Sequence, residues 1–246
     1  MGDPLKPGDP TWHSRVRAPA RLGDDVVGPW DDTADVVIVG LGGAGVCSAI
    51  AALDAGASVI AVDRFVGGGA TRMSGGVFYA GGGTAQQREA NIDDDPENML
   101  AYLRHEVGDA VSEATLRDFC KTSPEQVEWL QRNGVEFASA VCPIKTSYPP
   151  DGYYLYYSGN EAQTSYAKDA TPAQRGHRTF GEGLTGHRFY DALLQSALAK
   201  GLRLHRFSDA QRLVVSQDGT IEGIETQAID PESDAARKLA KLTQKF

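Results

Sequence analysis

The chain has 246 residues, 41% of them hydrophobic and 23% charged, with a formal net charge of −9. That length can bury a sizeable core, and the acidic balance argues against a general nucleic-acid binder, which needs a basic face. No apolar run approaches the roughly 20 residues that span a bilayer, so the composition is that of a globular protein without a transmembrane segment.

Residues 1–33 hold five prolines and little periodicity and read as a loose leader. MGDPLKPGDPTWHSRVRAPARLGDD has neither an apolar signal core nor twin arginines, so export is not expected. Asp35-Val36-Val37-Ile38-Val39 is a continuous apolar run of buried-strand length. Gly45 to Leu53 turns helical, with Val46, Ile50 and Leu53 at helical spacing and Gly56 as the stop. Ser58-Val59-Ile60-Ala61-Val62 is a second buried strand ending at Asp63. Strand, helix and strand in this order make a βαβ unit, with parallel strands and a right-handed crossover.

Between the first strand and the helix, Gly40-Leu41-Gly42-Gly43-Ala44-Gly45 is a G-x-G-x-x-G, with Asp63 23 residues after its first glycine. Alone the pattern is weak; after a strand, before a helix and with an acid at the next strand's end, it is a dinucleotide fingerprint. Gly40 permits the tight turn, Gly42 lets backbone amides approach a pyrophosphate, and Gly45 lets helix and sheet pack closely. The helix N-terminus adds partial positive charge, and Asp63 can accept from both ribose hydroxyls. NAD and FAD share this unit. The segment after the second strand separates them. GGGATRMSGGVFYAGGG, residues 67–83, carries eight glycines in seventeen positions, where a simple NAD domain runs into an ordinary crossover.

Three helices are expected next. Asp95-Pro96-Glu97 and Ser123-Pro124-Glu125 each place a cap residue before proline and an acid in the first turn. Ser112-Glu113 opens the middle helix and Gly134 closes the third. From 138 to 180 periodicity disappears, in a segment with six of the nine tyrosines; its aromatic content argues against disorder. A helix at 188–199, a strand at Leu202–Arg206 and a type I′ hairpin around Asp218-Gly219 come next. In Pro231–Phe246, the residues Ala235, Leu239, Leu242 and Phe246 line one helical face.

DVVIVGLGGAGVCSAIAALDAGASVIAVDR followed by GGGATRMSGGVFYAGGGT resembles the FAD-binding domain of the fumarate reductase/succinate dehydrogenase flavoprotein superfamily. Trp30-Asp31-Asp32, the form S-G-G-V-x-Y-A-G-G-G-T and Tyr156-Tyr157-Ser158-Gly159-Asn160-Glu161 are most similar to FAD-dependent 3-ketosteroid dehydrogenases, above all the Δ4-(5α) type. The resemblance covers residues 34–110 well and 176–228 loosely. Arg175-Gly176-His177 through Gly183-Leu184-Thr185-Gly186 is similar to the segment that returns the chain to the FAD domain.

The resemblance implies an α/β fold: a Rossmann-like parallel-sheet FAD-binding domain, incomplete, with a helical and irregular insertion, of which residues 34–246 are the N-terminal part. It implies that Gly40, Gly42, Gly43, Ala44 and Gly45 hold the pyrophosphate and Asp63 the adenosine ribose. Gly69, Ala70 and Thr71 continue along the pyrophosphate and ribityl chain, Ser74, Gly75 and Gly76 lie against the isoalloxazine, and the Ala210 backbone meets the adenine. The implied reaction removes the proton α to a steroid ketone and passes the β-hydrogen as hydride to flavin. Members that attach FAD covalently use a histidine in the glycine loop, and none occurs between His13 and His105, so noncovalent FAD is expected. The later family motifs, an A-T-G-G-like turn and a G-x-x-A-x-G-E-like segment, do not occur before Phe246. The chain therefore reads as a front half, and no catalytic residue is assigned within it. A soluble fumarate-reductase-like flavoprotein, a non-catalytic FAD-binding fragment and a nicotinamide dehydrogenase are the competing readings.

The five histidines, at 13, 105, 177, 187 and 205, share no metal-ligand spacing and are expected at the surface or locally bonded. Arg175, His177 and Arg178 read as a solvated basic loop, and the tyrosine segment as aromatic packing. Cys47, Cys120 and Cys142 are odd in number and lack C-x-x-C spacing, the usage of reduced thiols in the cytoplasm.

Overall fold

The βαβ unit forms where the hydrophobic pattern places it. The computed structural model describes residues 17–23 and 29–243. In chain order its elements are β1 (Ala20–Arg21), β2 (Val36–Val39), α1 (Gly43–Asp54), β3 (Val59–Asp63), α2 (Gly69–Met73), β4 (Val77–Tyr79), α3 (Ala85–Glu89) and α4 (Pro96–Val107). Next come α5 (Glu113–Arg132), β5 (Leu155–Tyr156), β6 (Gly176–Arg178), α6 (Gly186–Ala199), β7 (Arg203–Arg206), β8 (Ser208–Val215), β9 (Ile221–Ala228) and α7 (Asp234–Thr243). They fall into two units: Met1–Gly67 with Ala197–Phe246, and Gly68–Ser196.

In the first unit β2, β3 and β7 form a parallel sheet with β3 central. Val59, Ile60, Ala61 and Val62 are all buried, as a strand covered on both faces requires. β2 departs from the expectation of a buried strand: Val37 is 40% and Val39 56% exposed, while Val36 and Ile38 are half-buried. It is an edge strand, and an apolar run does not say how many faces are covered. Within the segment read as a leader, Ala20–Arg21 pair in parallel with Val214–Val215, and Ala20 is fully buried. The rest of that reading, residues 1–16 and 24–28, lies outside the described residues, as does Phe246.

β8 and β9 form the expected antiparallel hairpin, but its turn differs. Type I′ needs positive φ at both central residues. Gly219 has φ +92° and Asp218 does not share it. The Ser216 amide donates to Thr220 O (2.9 Å) and the Gly219 amide to Ser216 O (3.1 Å), a three-residue loop closed by a left-handed glycine. In α7 the buried residue is Ala236, and the neighbouring Ala235 is exposed; the inward stripe is rotated one position from the expected face.

In the second unit β4, β6 and β5 form an antiparallel sheet with β6 central. Helices α4 and α5 build its core from Met99, Leu100, Tyr102, Leu103, Leu116 and Cys120. The caps on Asp95 and Ser112 form as predicted, accepting from the amides of Asn98 (2.7 Å) and Thr115 (3.2 Å). The expected break at Ser123-Pro124 does not occur: α5 runs through Pro124. Proline removes only the bond to the Cys120 carbonyl, and the buried stripe Leu116, Cys120, Val127 and Leu130 continues on both sides. The Ser123 hydroxyl is buried and accepts from the Gly81 amide (3.0 Å) instead of capping a helix.

Candidate functional site

In the first unit, the glycine loop joins β2 to α1. The Gly40 amide donates to Val62 O (2.8 Å), which ties the loop to the neighbouring strand. A Cβ on Gly45 would overlap the Gly40 carbonyl oxygen and stand 3.3 Å from Ile38 Cγ2, so only glycine lets α1 approach the sheet this closely. Gly42 is the N-cap of α1 and offers no side chain as a cap, and no acid stands in the helix's first turn. Gly43, Ala44 and Gly45 form that first turn, with the macrodipole's positive end toward the loop.

Asp63 ends β3, and its carboxylate accepts from the Leu41 amide (2.9 Å) and the Phe65 amide (2.8 Å). Each oxygen retains accepting capacity, as a ribose diol requires. The same residue that the sequence assigns to a ribose thus also holds the loop. This set fits a dinucleotide: a glycine turn, a helix N-terminus with no acid in its first turn and a carboxylate at the next strand's end. Ala210 lies on β8, where the pairing with β9 is irregular between Ala210 and Arg212. A separate cavity of about 300 Å³, lined by Trp30, Val37, Ile60, Val62, His205 and Ile224, includes none of the glycine-loop residues.

In the second unit, Gly69, Ala70 and Thr71 lie in α2, Ser74 ends it, and Gly75 and Gly76 lead into β4. A Cβ on Gly75 would stand 2.6 Å from Tyr148 Cε2, and one on Gly76 2.6 Å from the Thr185 carbonyl carbon. These glycines are small because the chain itself fills the space beside them. The Thr185 hydroxyl donates to Gly75 O (2.9 Å), and the Thr179 amide and hydroxyl to Gly76 O (2.9 and 2.8 Å). Tyr148 Oη lies 2.9 Å from Gly75 O and 2.8 Å from Gly183 O, and can donate to one at a time. Its ring stacks under the Arg178 guanidinium at 4.8 Å.

Arg175, His177 and Arg178 are not a solvated loop: all three are buried, on and beside the central strand β6. Arg178 pairs with Asp151 and donates to the carbonyls of Pro150 (3.0 Å) and Gly183 (2.8 Å). Arg175 pairs with Asp94 through Nε–Oδ2 (3.0 Å) and Nη2–Oδ1 (2.7 Å), both side chains wholly buried. Asp94 also accepts from the Gly82 amide (2.9 Å), Gln87 (3.0 Å) and Asn98 (2.7 Å). The 81–84 end of the glycine strip is therefore held by buried charge, which no local pattern in the sequence signals.

His177 Nδ1 lies 3.1 Å from Arg175 O and its Nε2 2.9 Å from Thr84 Oγ1. A carbonyl only accepts, so Nδ1 carries the proton and Nε2 accepts from Thr84. Burial pushes the His177 pKa down from 6.5 to about 4, against the hydrogen bond to Arg175 O and the charge of Asp94. Below pH 6.5 the unfolded chain takes up a proton that the folded chain refuses until about pH 4. This contribution to stability is complete above that window and falls through it by about 3 kcal/mol in all. Urea denaturation at pH 7.5 and pH 5 is expected to show the loss, and His177→Gln to flatten the difference; an unchanged difference would remove His177 from the account.

Among the described residues no group of His, Cys, Asp and Glu could hold a metal ion, and no helix is long and apolar enough to cross a membrane. Cys47, Cys120 and Cys142 are free thiols.

Residues 35–241 match a family model described as FAD binding domain. The chain is 44% identical over 223 residues to 3-oxo-5-alpha-steroid 4-dehydrogenase of Comamonas testosteroni, covering 88% of this chain and 42% of that protein. It is similar to the crystal structure of 3-ketosteroid-delta4-(5alpha)-dehydrogenase from Rhodococcus jostii RHA1 in complex with 4-androstene-3,17-dione. The TM-score is 0.80 at 34% identity, over 85% of this chain and 44% of that one. A flavocytochrome c3 fumarate reductase shares the fold, with a TM-score of 0.58 at 24% identity over 80% of this chain and 32% of that one. The chain spans less than half the length of these relatives.

Proposed function

Because this chain belongs to the FAD binding domain family, we propose that it holds FAD noncovalently and serves a dehydrogenase that acts on a CH–CH bond of a 3-ketosteroid. The observation that carries the cofactor reading is the glycine loop: Gly45 is packed on Gly40, and the first turn of α1 carries no acid. Gly40, Gly42, Gly43, Ala44 and Gly45 take the pyrophosphate, and Asp63 accepts from the ribose hydroxyls. Gly69, Ala70 and Thr71 follow the pyrophosphate and ribityl chain, Ser74, Gly75 and Gly76 meet the isoalloxazine, and Ala210 meets the adenine. When bound, FAD supplies a two-electron acceptor. The steroid reading is supported by the identity to the Comamonas testosteroni enzyme, and the groups that move the substrate proton are assigned to no residue of this chain. The three free thiols support a reducing compartment, the cytoplasm.

Purified chain is expected to be yellow, with flavin released on denaturation, and anaerobic addition of a 3-ketosteroid to the whole protein is expected to bleach it. Bound flavin that ignores steroids but reoxidises with fumarate would move the substrate to the fumarate-reductase side of the superfamily. Retained NAD with no flavin absorbance would end the FAD reading. Asp63→Ala removes a charged acceptor from both the ribose and the Leu41 amide. It is expected to weaken FAD binding by about 10- to 100-fold, the worth of a hydrogen bond to a charged group, measured by flavin fluorescence quenching; unchanged affinity would place the ribose elsewhere.

A further inference from the structure

In the second unit, Tyr148 stands behind the stretch of the glycine strip that the proposed function gives to the isoalloxazine. The edge of its ring takes the space a side chain on Gly75 would need, with Cε2 2.6 Å and Cδ2 3.0 Å from that Cβ position. Its hydroxyl reaches two carbonyls, Gly75 O (2.9 Å) and Gly183 O (2.8 Å), with one proton to give. Gly183 O already accepts from the Arg178 guanidinium (2.8 Å), whereas the other donor to Gly75 O is the neutral Thr185 hydroxyl (2.9 Å). A charged donor bonds more strongly than a neutral one and leaves its acceptor less able to take a second bond. The Tyr148 proton therefore goes to Gly75 O.

The peptide joining Gly75 to Gly76 is thereby held at both ends. Its carbonyl accepts from Tyr148 and Thr185, which uses both lone pairs. Its other end, the Gly76 amide, donates to Ser74 Oγ (3.1 Å), and the Ser74 hydroxyl donates in turn to Thr71 O (2.8 Å). The next carbonyl, Gly76 O, accepts from the Thr179 amide (2.9 Å) and hydroxyl (2.8 Å), so two successive peptides are fixed. At the inner end, the Arg178 guanidinium hydrogen-bonds to the Tyr148 hydroxyl. Arg178 is wholly buried and Ser74 is exposed. One chain of hydrogen bonds thus runs from an interior cation, through Tyr148 and the Gly75–Gly76 peptide, to a surface hydroxyl. Each donor in such a chain polarises the next.

Resting on the reading that Ser74, Gly75 and Gly76 meet the isoalloxazine, we propose that Tyr148 is a positioning residue for the flavin ring. It fixes the orientation of the Gly75–Gly76 peptide and carries the polarisation of Arg178 to the surface that Ser74 presents.

Two measurements on the flavin-loaded whole protein keep the proposal and the underlying reading apart. Ser74→Cys puts a thiol at the exposed position, and bound FAD is expected to slow its alkylation, read by peptide mass. Equal rates with and without FAD would overturn the placement of the ring, and the proposal with it. Tyr148→Phe keeps the aromatic ring against Gly75 and removes only the hydroxyl. It is expected to shift the visible absorption and the midpoint potential of the flavin. FAD affinity is expected to fall about 5-fold, the worth of one hydrogen bond. With Ser74→Cys protected, an unshifted spectrum and potential in Tyr148→Phe would overturn the proposal, even if the thermal midpoint fell, because Tyr148 would then serve the fold alone. Where Tyr148→Phe does not fold, 3-fluorotyrosine in place of Tyr148 keeps the bond and makes its donor stronger. It is expected to shift the flavin spectrum, and an unchanged spectrum would overturn the proposal.

Discussion

Gly45→Val is expected to yield a chain that retains no flavin. The added Cβ would overlap the Gly40 carbonyl oxygen and approach Ile38 Cγ2 at 3.3 Å. The oxygen is backbone, in a loop tied by the Gly40 amide to Val62 O (2.8 Å) and by the Leu41 amide to Asp63 (2.9 Å). Neither side can yield without moving the helix off the sheet, and overpacking of this kind costs about 1–3 kcal/mol. The displaced helix no longer presents its N-terminus to a pyrophosphate, so the loss in FAD affinity is expected to exceed about 100-fold, roughly 3 kcal/mol. Gly45→Ala is expected to show the same direction with a smaller loss. Gly56→Ala is the control: its φ of +86° strains any side chain, but a Cβ there meets open space. It is expected to lower stability by about 1 kcal/mol and leave FAD affinity unchanged. Equal effects of the two substitutions on flavin content, measured against thermal midpoint, would show that stability rather than loop geometry governs cofactor retention.

The second large effect is expected at the Asp94–Arg175 pair. Asp94→Ala strands the Arg175 charge in the interior, orphans the Gly82 amide, and takes one acceptor from each of the Gln87 and Asn98 side chains, which keep the carbonyls of Gln174 and Thr171. Arg175→Ala strands the Asp94 carboxylate. Breaking a buried pair from one side costs about 3–5 kcal/mol, so either single substitution is expected to remove much of the stability of a typical domain. The double variant is expected to lose less than the sum, because no lone charge remains. Strict additivity in urea denaturation would show that the two charges are not coupled. Burial works against the Asp94 carboxylate, but the hydrogen bonds and charge of Arg175, with the Gly82 amide and Asn98, hold its pKa below the ordinary 3.8. Its contribution is therefore present above that value and lost as pH falls through the lower folded one. That window lies below the one set by His177, and the two are separable by titration.

Where local chemistry is sufficient, the sequence is legible. The βαβ unit, the caps on Asp95 and Ser112, the glycine fingerprint and Asp63 each depend on residues close in sequence or on a fixed repeat. Ser123-Pro124-Glu125 misleads because the same three residues signal a helix start or sit within a helix, and the choice depends on whether a buried stripe continues past the proline. Arg175, His177 and Arg178 mislead because a basic cluster in an aperiodic segment is ordinarily solvated. Here β6 is the central strand of a sheet, and Asp94 and Asp151 supply the counter-charges from far along the chain.

The sequence by itself determined the parallel βαβ core and the glycine turn that opens α1, because turn sterics and hydrophobic period act within a few residues. Only the tertiary structure shows which parts of the chain stand beside the glycines after Gly69. By sequence, their missing side chains are assigned to the cofactor alone. In the fold, Tyr148 and Thr185 take the space beside Gly75 and Gly76, and Asp94 binds the Gly82 amide. A glycine records that something comes close; what comes close is set by contacts between segments that sequence spacing does not contain.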